Sequence, residues 1–239
     1  MSDASFRVYR QFDAASRQEF AGMKHRIHSL PEDLFPSDSL PDRLARSLAE
    51  HRVVHIKELL ESFEFFSRVR RRVRRPTVVE LCAGHGLVGL IFALVEPGVT
   101  RVELLDSRQP PSFDRILEAF TAVGPWVGDK VVYRVESLDE STALPDGAGV
   151  VLVHACGALT DQGLDRAIAA GAPVAAMPCC YGKARRPRVR ALTKEFGRPA
   201  SIDITRSHRL ADAGYQVDWT FIPRAITPMN RVIVGWDQR

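Results

Sequence analysis

The chain has 239 residues, 45% of them hydrophobic, with a net charge of +4 at pH 7 and a pI near 9.0. That apolar content suffices to bury a full core, which argues against disorder, and no apolar run approaches the roughly 20 residues that span a bilayer. Met1-Ser2-Asp3-Ala4-Ser5 lacks the basic-then-apolar layout of a secretion signal, and the four cysteines, Cys82, Cys156, Cys179 and Cys180, contain no Cys-x-x-Cys pair. A cytoplasmic protein with free thiols and without a zinc site is expected.

Residues 1–36, with His25, His28 and Pro31, carry no strong motif. Pro41 suits a first helical turn, and Leu44, Leu48, Ile56, Leu59, Leu60, Phe63, Phe66, Val69 and Val73 recur at helical spacing, predicting one or two helices over 41–74 that Pro76 stops. Phe63, Phe65 and Phe66 read as core packing. Residues 1–75 thus form an expected N-terminal helical extension ahead of an α/β domain over 76–239. In that domain short apolar runs alternate with helical patterns. Strands are predicted near 77–82, 101–106, 130–135, 149–155 and 173–178, and helices near 86–95, 112–123, 161–170 and 186–196. Tyr215–Phe221 and Arg231–Trp236 follow with only a loop between them, so they should pair antiparallel. The fold class expected is a Rossmann-like, doubly wound, mostly parallel sheet that ends in an antiparallel hairpin.

The run from Val78 to Gly89 is a buried strand ending in an acid, then a glycine turn, then a helix start. Glycines allow backbone angles closed to other residues and let a ligand approach the main chain, where the helix N-terminus offers free N–H donors. Gly84-x-Gly86-x-x-Gly89, with Asp106 about 20 residues on, fits a dinucleotide fingerprint. Glu80-x-Cys82-x-Gly84-x-Gly86 also resembles the acidic-x-Gly-x-Gly-x-Gly first motif of class I S-adenosylmethionine-dependent methyltransferases, with Cys82 in place of the first glycine. The terminal antiparallel hairpin is the arrangement known in that family and not the usual ending of a dinucleotide domain. The resemblance implies that 76–239 binds S-adenosylmethionine. Glu80 would then lie near its methionine moiety, Cys82, Ala83, Gly84 and Gly86 would form the turn around it, Asp106 and Ser107 would hold the ribose, and Ser137 and Leu138 would cradle the adenine.

Two further strand ends carry unusual chemistry. His154-Ala155-Cys156-Gly157-Ala158-Leu159-Thr160-Asp161 follows the fourth strand and Pro178-Cys179-Cys180-Tyr181-Gly182-Lys183 the fifth. Together they resemble a methyltransferase branch that includes the tRNA acceptor-stem ribose 2'-O-methyltransferases, whose additional cysteine and histidine zinc elements this chain lacks. A ribose hydroxyl needs a base. His154 and Asp161 are the candidates, with His154 also a cofactor neighbour and Lys183 a charge stabiliser or phosphate clamp. The alternatives for the two acidic-basic candidates are a core histidine and a helix cap. Cys156 and Cys179 are also arranged like the two cysteines of RNA cytosine-5 methyltransferases, where a thiolate attacks the base. The Asn/Asp-Pro-Pro-Tyr loop of base amino methylation is absent.

Positive charge is bunched at Arg68–Arg75 and Lys183–Arg190. Such runs supply phosphate contacts or form solvated helix faces. The expectation is an S-adenosylmethionine-dependent methyltransferase acting on RNA, with ribose oxygen as first acceptor. A small-molecule or protein methyltransferase, a non-catalytic RNA-binding protein of this fold and, more distantly, a dehydrogenase are the alternatives.

Overall fold

The computed structural model describes residues 4–30, 32–187 and 189–237; Met1, Ser2, Asp3 and Pro31, named above, and Arg188 of the second basic run lie outside them. Seven strands form one sheet in the order β3-β2-β1-β4-β5-β7-β6. β1 (Thr77–Leu81), β2 (Arg101–Asp106), β3 (Val131–Val135), β4 (Gly149–Val153) and β5 (Val174–Met177) run parallel. β7 (Arg231–Trp236) lies antiparallel between β5 and β6 (Gln216–Phe221). The mostly parallel sheet with its closing hairpin is therefore as expected, and each strand falls within two residues of its predicted bounds.

Alternate strand residues feed two layers, which is what makes the sheet doubly wound. Val78, Val102, Leu104, Val151, Ala175 and Val232 belong to one buried cluster, while Val79, Leu105, Val150, Leu152, Val174 and Ile233 belong to the other. The first layer holds α3 (Ile56–Val73), α4 (Leu87–Val95) and α5 (Phe113–Val123), together with α1 (Ala15–Ala21), α2 (Leu40–Glu50) and the short α6 (Val127–Lys130). The second holds α7 (Ala158–Ala169) and α8 (Arg190–Asp212).

Described residues ahead of β1 share the buried core of the sheet. Phe6, Tyr9, Phe12, Phe35 and Phe63 are buried in the same cluster as Phe66, Phe92 and the strands, with Tyr9 and Phe63 edge-to-face at 5.3 Å and Phe66 and Phe92 at 4.8 Å. Buried Glu64 accepts from the backbone N–H groups of Arg7 and Val8 and pairs with Arg68, which pins the leading segment onto α3. The phenylalanines of α3 are core, as their spacing suggested.

Two helices differ from expectation. α7 starts three residues early, at Ala158, behind Gly157. The helix predicted over 186–196 begins at Arg190 and continues to Asp212 past a break at Gly197 (φ 75°, ψ 165°) and Pro199. Glycine and proline there read as an ending, but Ile202, Arg206 and Leu210 recur at helical spacing and are buried, which is what sustains the second half.

Candidate active site

A cavity of about 410 Å³ opens at the carboxyl ends of β1 and β4, within the size range of small-molecule sites. Its floor is the turn Cys82-Ala83-Gly84-His85 with Glu80 beneath, and its walls are Val153 and His154, the Arg108–Pro111 segment after β2, and Glu58, Glu61 and Ser62 of α3.

The turn is built for close approach. Gly84 has φ +51°, and a Cβ built on it meets no atom within 4 Å, so its backbone faces open cavity space. Gly86 (φ +68°) caps α4, donates its N–H to Ala83 O at 2.7 Å, and has no room for a side chain, since a Cβ there would drive into Leu104. Cys82 occupies the same left-handed region at φ +56°, which a non-glycine residue seldom adopts. Asp106 accepts from Gly84 N–H at 2.9 Å and closes the turn against β2.

Glu80 is 3% exposed and accepts from Gly89 N–H at 2.6 Å at the start of α4. Burial raises its pKa to about 8, with Asp106 adding to the rise and the Val88 and Gly89 N–H groups opposing it. The folded chain therefore keeps a proton that the unfolded chain releases near 4.5, and stability contributed by the neutral form is full below that pH and lost as pH rises toward 8. We expect Glu80→Gln to remove this loss. In urea unfolding at pH 5, 6, 7 and 8 the variant should gain on the parent with a slope of up to about 1.4 kcal/mol per pH unit; parallel stability curves would contradict the assignment.

α3 makes the acidic wall. Glu61, 2% exposed, has Oε2 at 2.9 Å from His154 Nε2 and Oε1 at 3.3 Å from Lys57 Nζ, with no hydrogen bond on Oε1 among the described residues. Glu58 stands 3.7 Å from His85 Nδ1 and accepts from His55 N–H. Burial pushes Glu58 upward, but the nearby His85 imidazole, the His55 N–H and the His55 imidazole outweigh it and leave the carboxyl below its ordinary value. His154 is itself at φ +59°, so the chain turns out of β4 in a conformation that presents the imidazole to Glu61.

Of the residues expected at the site, Glu80, Cys82, Ala83, Gly84 and His154 line the cavity. Gly86, Asp106 and Ser107 stand behind or beside the turn, Ser137 is exposed beyond β3, and Leu138 packs in the second buried layer. None of these five lines the cavity. Asp161 is a correction. It is 2% exposed, pairs with Arg206 at 3.0 Å and Arg209 at 3.1 Å, and accepts from Arg185 N–H, so it anchors α7 to α8 and has no free oxygen for base chemistry. Lys183 is exposed in the turn packed against Gly157, outside the cavity. Cys179 lies outside it as well, with Sγ 3.5 Å from both Cys156 and Cys180. Burial and the two neighbouring thiols push the Cys179 thiol well up, which withholds the thiolate that a covalent attack requires. The same cluster overturns the expectation drawn from spacing that the cysteines offer no metal-type grouping, because the fold joins residues 23 positions apart.

The basic runs divide. Arg68 pairs with Glu64, Arg70 and Arg74 with Glu96, Arg72 lies over the Trp236 ring and Arg75 meets Asp237. This first run leads into the amino end of β1, at the opposite end of the strands from the cavity, and is the partly paired, solvated face that was one of its two readings, with Arg71, Arg72 and Arg74 exposed. In the second, Arg185 is held by Asp165, but Arg186 and Arg190 join Lys194 and Arg198 around an open cavity of about 640 Å³.

No family model matches the chain. A Xenopus laevis protein described as glutathione S-transferase C-terminal domain-containing is 35% identical over 106 residues, 44% of this chain and 16% of that protein, so the chain spans about one sixth of its length. Among solved structures, a proposed O-methyltransferase of Klebsiella pneumoniae is 12% identical, covers 87% of this chain and 94% of its own, and superposes with a TM-score of 0.50. One of Nostoc punctiforme is 16% identical over 82% of this chain and 61% of its own, with a TM-score of 0.47. The likeness is one of fold: the Rossmann-like sheet with its antiparallel ending.

Proposed function

We propose that the protein is an S-adenosylmethionine-dependent methyltransferase. The observation that carries this reading is the cavity itself: an open Gly84 backbone at the tip of β1, facing a carboxylate-rich wall of Glu58 and Glu61, whose Oε1 has Lys57 Nζ at 3.3 Å but, among the described residues, no hydrogen bond. Those features fit a ligand that is cationic and has an amino group. Bound there, S-adenosylmethionine would supply an electrophilic methyl group. The main chain of Cys82, Ala83 and Gly84 would hold it, and Glu58 and Glu61 would complement its positive charge, with neutral Glu80 beneath the turn.

His154 is the base of this reading. With Glu61 accepting from Nε2–H, the tautomer leaves Nδ1 as a lone-pair nitrogen, and among the described residues nothing hydrogen-bonds it. An acceptor hydroxyl would lose its proton to Nδ1 as its oxygen takes the methyl group. Glu61 orients the ring and stabilises the imidazolium, a positioning role. Ribose oxygen is the acceptor we favour. Arg186, Arg190, Lys194 and Arg198 would carry the RNA backbone, since they surround an open basic groove on the polypeptide that follows β5.

Labelled methyl transfer to total cellular RNA tests the substrate class, with a small-molecule extract as the competing acceptor. Arg190→Glu with Lys194→Glu should weaken RNA binding and shallow its dependence on salt by about one unit of slope for each phosphate no longer neutralised, leaving donor affinity unchanged. Label passing only to the small-molecule fraction, or RNA binding indifferent to both charges, would count against the nucleic-acid reading.

A further inference from the structure

Outside the cavity the fold collects three of the four cysteines at one point. Cys156 Sγ lies 3.5 Å from Cys179 Sγ, which lies 3.5 Å from Cys180 Sγ, and all three sulfurs fall within 4.8 Å of one another. After β4 the chain passes through His154, a non-glycine residue at φ +59°, and Gly157 (φ +61°, ψ −115°), whose N–H donates to Cys180 O at 3.2 Å. The two strand-end segments are thereby tied together with their thiols converging. Strain of this kind at a strand end needs a reason.

A disulfide would use two of the sulfurs and leave the third beside it. A thiophilic metal ion would use all three. In a tetrahedral zinc site with Zn–S bonds of about 2.3 Å the sulfurs stand about 3.8 Å apart, close to the spacings found. We infer that Cys156, Cys179 and Cys180 form a three-thiolate site for a soft divalent metal ion, zinc foremost, with its fourth position open. Cys156 and Cys180 are exposed, so water or an acceptor group can reach that position, the pattern of three protein ligands plus one exchangeable ligand. Binding converts three thiols to thiolates and releases up to three protons to the buffer, with no change of oxidation state. Because His154 is both a wall of the cavity and two residues from Cys156, the ion would sit at the rim of the proposed active site. The inference stands on the sulfurs alone and is independent of methyl transfer.

The test is metal content and cobalt spectroscopy on the full chain, purified with a non-thiol reductant. We expect about one zinc per chain and, after exchange for cobalt, a sulfur-to-metal charge-transfer band in the near ultraviolet. Cys156→Ser, Cys179→Ser and Cys180→Ser should each weaken cobalt binding by more than the roughly 10–100-fold that changes outside the ligand set cost. Cys82→Gly, whose thiol lies outside the cluster, should keep the band, and circular dichroism separates loss of metal from loss of fold. Three titratable thiols with no zinc and no cobalt band in the parent protein would overturn the site, as would a band that Cys82→Gly abolishes or a Cys156–Cys179 disulfide that forms in the presence of zinc.

Discussion

Asp161→Ala is expected to lower folding stability by about 3–5 kcal/mol, the cost of breaking a buried ion pair by removing one partner. Arg206 is 1% exposed, and Asp161 is its partner across the seam on α7; Asp203 on its own helix remains at 3.2 Å. Arg209 keeps Asp165 and the residue-161 carbonyl, and the Arg185 N–H loses the carboxylate that accepts from it. What remains is a buried guanidinium with half its compensation, inside the seam that joins α7 to α8. Urea unfolding at pH 7 reads the loss, and donor affinity measured on the folded fraction should be unchanged. A variant as stable as the parent but unable to turn over would return Asp161 to the chemistry.

His154→Asn is expected to lower turnover by about 10²–10⁴-fold, the usual contribution of a general base, while donor affinity stays within a few-fold. Asparagine is the suitable replacement because it tolerates the left-handed backbone of His154, whereas alanine would add strain to the loss of the imidazole. Glu61→Gln should cost less, since it keeps a hydrogen-bonding partner for Nε2 and loses the charge that stabilises the imidazolium. Single-turnover rates separate the two effects from donor binding. A His154→Asn rate within tenfold of the parent would mean that the proton leaves by another route.

Much of the fold was legible because buried parallel strands and amphipathic helices write themselves as runs and periods. The β1–α4 turn was legible too, because its backbone angles leave a mark in glycines. What local pattern could not supply was long-range juxtaposition. Glu58 and Glu61 recur three apart on an otherwise apolar helix face, a signal for a carboxylate wall, yet only the packing of α3 over the carboxyl ends of β1 and β4 puts them opposite the turn. Asp161 stands near His154 in sequence but points into the α7–α8 seam, where Arg206 and Arg209, more than 40 residues on, claim it. The same distance hid the fate of Arg68–Arg75, whose partners Glu96, Trp236 and Asp237 come from other elements. Cysteines 23 residues apart gave no spacing motif, and the fold alone joins them.

The most direct measurement is calorimetric titration of S-adenosylmethionine into the full chain and into Gly84→Val, with melting curves to show both folded. Binding at one site per chain, weakened by about 100-fold or more when a branched side chain fills the space before Gly84, is the result expected of a donor seated on that turn. No binding heat from the parent protein, or equal affinity in the two, would contradict it.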